Sequence, residues 1–244
     1  MKYAGLILAG GRGSRFISED TQPIPKVLRL LLGKPVILWV IDSLKNAGIL
    51  DNTIVVGYKA EEVISKLGDT YKYVFQIEQK GSGDAVACAK ECFTNFDGSL
   101  VIMCGDSPLF SSETLKKMMH QHYDEKAFIS LASSLLDNPT GYGRIIRDKN
   151  ENIIGIVEEK CALDEQKAIK EVNGGAYIFD SKWLFSNIHL IKQNEAGEYN
   201  LTDMVRIAIE QNKTITSVSC DNIELLGINT QSELEKIENI LRSR

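Results

Sequence analysis

The chain has 244 residues, 43% of them hydrophobic and 25% charged, which suits one substantial core with a smaller appended region. A formal net charge of -5 excludes the global basic surface that binds nucleic acid or anionic membrane, so any phosphate site must be local. No run approaches the roughly 20 apolar residues that span a bilayer. The five cysteines lack the spacings of a zinc site or a disulfide framework, and they read as reduced thiols of a cytoplasmic protein.

In chain order, the first predicted strand is "AGLILA" (4–9), which breaks into the glycine-rich, arginine-bearing loop "GGRGSR". Its apolar run is too short for a signal peptide, and no small-residue cleavage site follows. "PVILWVIDSLKNAG" (35–48) predicts a helix with Pro35 in its first turn and Gly48 at its end. Strands "NTIVVG" (52–57) and "YVFQIE" (73–78) follow. "GDAVACAKECFTNF" (83–96) then predicts a helix with Asp84 near its positive end. Strands "SLVIMCGD" (99–106) and "AFISLASS" (127–134) complete a βα alternation, which predicts an α/β fold with a mostly parallel sheet. After residue 137, "GRIIRD", "NIIGIVEE" and "VNGGAYIFD" are strand-like with short turns and predict an antiparallel part folded over that sheet. "TQSELEKIENILRS" (230–243) reads as an amphipathic packing helix.

Open α/β sheets bind ligands at the carboxyl ends of their strands, where a glycine turn lets backbone N–H groups approach an anion. The loop after the first strand is in that place. It is not a Walker A loop, since no GK[ST] closes it, and Phe16 stands where a dinucleotide fingerprint needs its third glycine. Between Gly10 and Lys34, Arg12, Arg15, Lys26, Arg29 and Lys34 face Glu19 and Asp20, five charges against two, a local balance of +3. Lys26 lies in "PIPKVL", where Pro23 and Pro25 stiffen the approach, and can offer a point charge to a phosphate. Asp106, in "GDSP" at the end of the fourth strand, is suited to Mg²⁺, which takes one or two carboxylates plus substrate phosphates. A tight turn with solvated arginines, and an aspartate merely favoured in a turn, are the plainer alternatives.

The stretches "LAGGRGSR", "PKVL", "QIEQKGSGDA", "GDSPL", "NPTGYGRIIRD", "GIVEEK", "EVNGGAYIFD", "NEAGEYNLTDMV" and "GINTQSELEKIE" resemble the N-terminal uridylyltransferase half of the bifunctional N-acetylglucosamine-1-phosphate uridylyltransferase family. The resemblance implies a Rossmann-like, glycosyltransferase-A-like nucleotidyltransferase fold. The activity implied is Mg²⁺-dependent transfer of UMP from UTP to a sugar 1-phosphate, with release of pyrophosphate. Arg15, Lys26 and Asp106 would be the catalytic residues, and Leu8, Ala9, Gly10, Gly11, Gly13, Gln76, Gly81 and Ser82 would surround the nucleotide. Gly143, Glu158 and Asn173 would contact the sugar, and Asp106 and Asn229 would hold Mg²⁺. A nucleotide-binding part (1–136), a sugar-binding part (137–229) and a C-terminal helix (230–244) would make up one domain.

The chain departs from the family's pattern in four ways. Ten residues separate Arg15 from Lys26, Asp84 stands where "GTGHA" is usual, Cys104 replaces an aromatic, and no acetyltransferase repeat follows. A free-standing transferase or a shortened chain is therefore expected. The rival readings are a nucleotidyltransferase of other specificity, using glucose 1-phosphate or CTP, and a catalytically silent nucleotide-sugar sensor. The attacking phosphate is already ionised, so no general base is needed and His120, His122 and His189 receive no role.

Overall fold

The computed structural model describes residues 1–13 and 24–243. Strand β1 (Tyr3–Ala9) leads to the glycine loop, and after it a two-stranded ribbon, β2 (Leu30–Leu31) and β3 (Lys34–Pro35), precedes helix α1 (Val36–Asn46). Val36, Ile37, Val40, Ile41 and Leu44 give α1 one buried stripe at helical spacing. Pro35 is its N-cap, one position outside the helix, where a missing N–H costs nothing. The helix stops at Gly48, whose φ of 92° suits glycine; Gly48 N–H donates to Lys45 C=O and Ile49 N–H to Leu44 C=O, both at 2.9 Å, a Schellman closure.

Strand β4 (Asn52–Val56), helix α2 (Ala60–Leu67), strand β5 (Lys72–Phe75), helix α3 (Ser82–Cys88) and strand β6 (Ser99–Cys104) continue the alternation. Two expectations are corrected here. β5 ends at Phe75, short of the predicted Glu78, because it is an edge strand: Phe75 and Ile77 face solvent while Gln76 turns inward. The predicted helix 83–96 stops at Cys88 and resumes as a tighter 3₁₀ turn (Lys90–Phe93), which brings the Phe93 ring 5.9 Å from Phe185 in the core.

Helix α4 (Ser112–Asp124), capped by Ser111, connects to strand β7 (Ile129–Leu135), and the hairpin β8 (Arg144–Arg147) and β9 (Ile153–Val157) follows. After the short helix α5 (Asp164–Lys167) come strand β10 (Glu171–Asp180), helices α6 (Ser181–Asn187) and α7 (Asp203–Glu210), strand β11 (Ile215–Ser219) and helix α8 (Gln231–Arg242). The main path through the nine-stranded sheet is β11-β7-β10-β6-β1-β4-β5. Every pair along it is parallel except the two made by β10. β8 and β9 are antiparallel, as expected, but β10 lies inside the sheet between β6 and β7 instead of over it.

The sheet is buried on both faces, so its strands read as continuous apolar runs. Leu6, Leu100, Ile102 and Phe179 face one core with α3, α6 and α7, while Ile7, Val101, Met103 and Ile178 face the other with α1 and α4. On that second side the fully buried His122 of α4 spans β6 and β7, its Nε2 3.0 Å from Ser99 Oγ and its Nδ1 2.8 Å from Ser130 Oγ. A third, smaller core joins α8 to the β2–β3 ribbon through Leu31, Val36, Leu109, Ile228, Leu234 and Ile237. Among the described residues, no helix is long and apolar enough to cross a membrane.

Candidate active site

Parallel pairing of β1 with β6 sets Leu8 opposite Cys104, and Leu8 C=O accepts from Gly105 N–H at 2.9 Å. The glycine loop and the loop bearing Asp106 therefore leave the sheet side by side. Ala9 is buried at the end of β1, and Gly10 C=O accepts from Tyr58 N–H at 3.0 Å. Among the described residues nothing lies within 4 Å of a Cβ placed on Gly11, whereas Gly13 sits at a φ of 60° with any Cβ only 2.9 Å from Lys26 Cβ. Arg12 Nε donates to Gln79 Oε1 at 3.2 Å. Arg15 lies outside the described residues.

Lys26 opens a 3₁₀ turn anchored by buried Val27. Its ammonium pairs with the Asp106 carboxylate and donates to Asn229 Oδ1 at 3.0 Å. The pair is largely shielded, with side-chain exposures of 18% and 15%. Asn229 is held from below: its N–H donates to Glu233 Oε2 at 2.7 Å, and Thr230 Oγ1 caps α8 by accepting from Glu233 N–H at 3.2 Å. Next to it, Ile228 N–H donates to Asp106 C=O at 2.9 Å. Helix α8 is thus more than packing, since its N-terminal cap orients Asn229. The two oxygens converging on one ammonium form a hard donor set of the kind Mg²⁺ takes together with phosphate oxygens. Among the described residues no cluster of three or more His, Cys, Asp or Glu forms a metal cage; water and phosphate oxygens would share the remaining positions.

A second niche lies past the edge strand. Gln76 is only 4% exposed, and its Nε2 donates to Gly81 C=O at 3.0 Å and to Asp84 Oδ2 at 2.7 Å. Gly81 has a φ of 103°, and a Cβ on it would meet Tyr199 O at 2.5 Å. The loop is fastened to the segment before α7: Tyr199 N–H donates to Lys80 C=O at 2.7 Å and Gly83 N–H to Tyr199 C=O at 2.8 Å. Ser82 Oγ accepts from Leu201 N–H at 3.0 Å.

The predicted sugar contacts also meet. A Cβ on Gly143 would lie 3.1 Å from Ile156, 3.5 Å from Glu158 Oε2 and 3.7 Å from Asn173 Cβ. Glu158 Oε1 accepts from Thr202 Oγ1 at 2.9 Å, which leaves Oε2 turned toward Gly143. Asn173 N–H donates to Gly143 C=O at 2.8 Å and its Nδ2 to Tyr177 Oη at 2.5 Å. Burial pushes the Tyr177 hydroxyl up, so it stays protonated. Asn173 pairs with Ser133 of β7, and the β10 register shifts between Asn173 and Tyr177, so the ladder is irregular just past Asn173. A cavity of about 390 Å³ opens at the charged corner, bordered by Asp106, Asn229, Thr140, Tyr142 and Lys236. Cys104 also borders it; burial pushes its thiol up to about 12, so it is no thiolate nucleophile.

Residues 4–222 match the family model described as nucleotidyl transferase. The chain belongs to the nucleotidyl transferase family. It is 41% identical over 240 residues to the bifunctional protein GlmU of Thermoanaerobacter pseudethanolicus, covering 98% of this chain and 51% of that protein. Against the bifunctional protein GlmU of Caldanaerobacter subterraneus subsp. tengcongensis it is 40% identical, covering 100% of this chain and 52% of the relative. The chain therefore spans about half the length of these curated relatives. A putative glucose-1-phosphate thymidylyltransferase from Bacillus anthracis, solved in complex with a sucrose, shares the fold with a TM-score of 0.80 at 23% identity, over 100% of this chain and 96% of that one.

Sequence reasoning assigned no role in this nucleotidyl transferase to Glu233, Thr202 or the Tyr199–Leu201 clamp. The stretches "NEAGEYNLTDMV" and "GINTQSELEKIE" contain all of them, but contacts made across the fold leave no local pattern to read.

Proposed function

We propose that this nucleotidyl transferase moves the uridylyl group of UTP to N-acetylglucosamine 1-phosphate, releasing pyrophosphate and forming UDP-N-acetylglucosamine. The observation that carries this is the meeting of Lys26, Asp106 and Asn229 from three separate loops, in a fold that also gathers Gln76 with Gly81 and Gly143 with Glu158 and Asn173. The similarity to the GlmU proteins across the whole chain supports the choice of substrates.

The reaction is in-line attack of a sugar phosphate oxygen on the α-phosphorus of UTP, with pyrophosphate leaving. Two polyanions must approach, so positioning and charge dominate the barrier. The N–H groups of the glycine loop and the Lys26 ammonium draw the triphosphate in, and Arg15 adds a second cation. Asp106 and Asn229 would hold Mg²⁺, which when bound offsets charge on the reacting phosphates. Lys26, whose ammonium lies at Asp106 and Asn229, would offer its charge to a phosphate there. Glu158 accepts from sugar hydroxyls while Asn173 both donates and accepts. Neither a protein nucleophile nor a general base takes part. Action in the cytoplasm, supplying nucleotide sugar for the cell envelope, goes with this activity.

Pyrophosphate release from UTP and N-acetylglucosamine 1-phosphate, with and without Mg²⁺, is the test. Release that needs both substrates and the metal is expected. Tight nucleotide-sugar binding with no release under any condition would instead mark a silent sensor.

A further inference from the structure

We infer that Asp84 is a positioning residue for base selection: it locks the Gln76 side-chain amide with its oxygen toward the nucleobase, so the niche takes a base edge that presents a ring N–H. This rests on the nucleotide reading above.

An amide end that faces two acceptors must be the NH₂ end. Gln76 meets Gly81 C=O at 3.0 Å and Asp84 Oδ2 at 2.7 Å on the same side, and a carboxylate only accepts. Both amide hydrogens are thereby used. The other end, Oε1, points to the glycine loop, where a Cβ on Gly10 would come within 2.8 Å of it. Among the described residues, Gly10 puts no side chain over that oxygen on the side of the phosphate loop. Gln76 is nearly fully buried and cannot trade these partners for water. Nor can the Gly81 carbonyl swing away, because Lys80 and Gly83 on either side of it are both bonded to the Tyr199 backbone.

An acceptor fixed in this way pairs with the N3–H of uracil. Cytosine offers a bare N3 acceptor and a donor at C4, so it sets acceptor against acceptor in a buried niche. Without Asp84 only the Gly81 carbonyl holds the NH₂ end, so the penalty against the flipped amide that takes cytosine is reduced. Asparagine at position 84 permits that rotation, since its own amide can donate to a flipped Gln76 oxygen. The residue that departs from the usual "GTGHA" pattern therefore keeps Gln76 in a uracil-reading orientation by its negative, acceptor-only head.

The experiment compares kcat/KM for UTP and CTP, at fixed N-acetylglucosamine 1-phosphate, in the wild type, Asp84→Asn, Asp84→Ala, and each of these combined with Gln76→Ala. The ratio of the two efficiencies does not depend on how much of a variant is folded. It is expected to fall at least tenfold in Asp84→Asn, to fall in Asp84→Ala as well, and to change no further when Asp84→Asn is added to Gln76→Ala. Equilibrium binding of UTP and CTP should show the same shift without turnover. A wild type that prefers UTP and keeps its ratio in both Asp84 variants overturns the lock alone, as does an equal loss in the Gln76→Ala background. A wild type that neither binds nor uses UTP overturns the nucleotide reading with it.

Discussion

The base niche and the charged corner are built in opposite ways. Gln76, Gly81 and Asp84 lie within nine residues of one another, and the niche is closed by hydrogen bonds from Gln76 to the Gly81 carbonyl and the Asp84 carboxylate. Lys26, Asp106 and Asn229 are separated by 80 and 203 residues along the chain, and they meet only because the sheet and α8 bring three loops together. Selection is thus a local, pre-set property, whereas catalysis depends on tertiary assembly of charges that remain partly accessible. Changes in the niche should alter which substrate is taken, and changes in the corner should alter how fast it reacts.

The largest expected effect tests the corner. Asp106→Asn keeps size but removes an anion that faces the cation position, and kcat should fall roughly 100-fold or more at saturating Mg²⁺, as several kcal/mol of lost electrostatic stabilisation requires. A circular dichroism melt like that of the wild type should accompany the loss. Near-normal turnover would remove Asp106 from the chemistry.

Gly81→Ala tests the niche. The new methyl would have to occupy a left-handed backbone position 2.5 Å from Tyr199 O, so the loop must move. KM for UTP should rise by roughly tenfold to 100-fold, with kcat reduced far less, because substrate binding and transition-state binding suffer together. A fall confined to kcat would erase the contrast between the two regions.

Sugar choice should be milder. N-acetylglucosamine 1-phosphate is expected to exceed glucose 1-phosphate by about tenfold in kcat/KM, since one methyl-sized contact supplies only ~1–3 kcal/mol. The reverse preference would move the Gly143, Glu158 and Asn173 cluster to another sugar while leaving nucleotide selection in place.

The smallest effect acts on both regions alike and so serves as a control. Burial lowers the His122 pKa from 6.5 to about 4. Below pH 6.5 the unfolded chain takes up a proton that the folded chain refuses until about pH 4, so stability present above 6.5 is lost as pH falls through that window. Between pH 7 and 5.5 the loss should be about 1 kcal/mol, or roughly 2–4 °C in Tm. His122→Asn should flatten this part of the Tm profile without changing the UTP to CTP ratio.

What the sequence made readable follows the same division. The glycine loop, Lys26 and Asp106 could be found from residue type and place, because strand ends and proline-stiffened approaches are local signals. Asn229 came only through resemblance, since its cap by Thr230 and Glu233 and its approach to Lys26 are products of packing. Helices α2, α4 and α7 carry no pair of start and stop signals as clear as that of α1, and the sequence extends β5 three residues too far because an inward-turning Gln76 continues the strand's alternation past its last pairing. The position of β10 could not be read at all: an antiparallel strand amid parallel ones has the same apolar pattern as its neighbours.

That position constrains the order in which the molecule assembles. β6, α4 and β7 emerge from synthesis as an unbroken parallel crossover, and consecutive parallel strands commonly settle side by side. Here they must instead stay one strand apart, about 10 Å, until a segment more than 30 residues later arrives to fill the gap. Direct pairing of β6 with β7 would form early, cost little loop entropy and shut β10 out. The His122 ring, reaching from Ser99 on β6 to Ser130 on β7, bonds the two strands at the spacing that β10 fills.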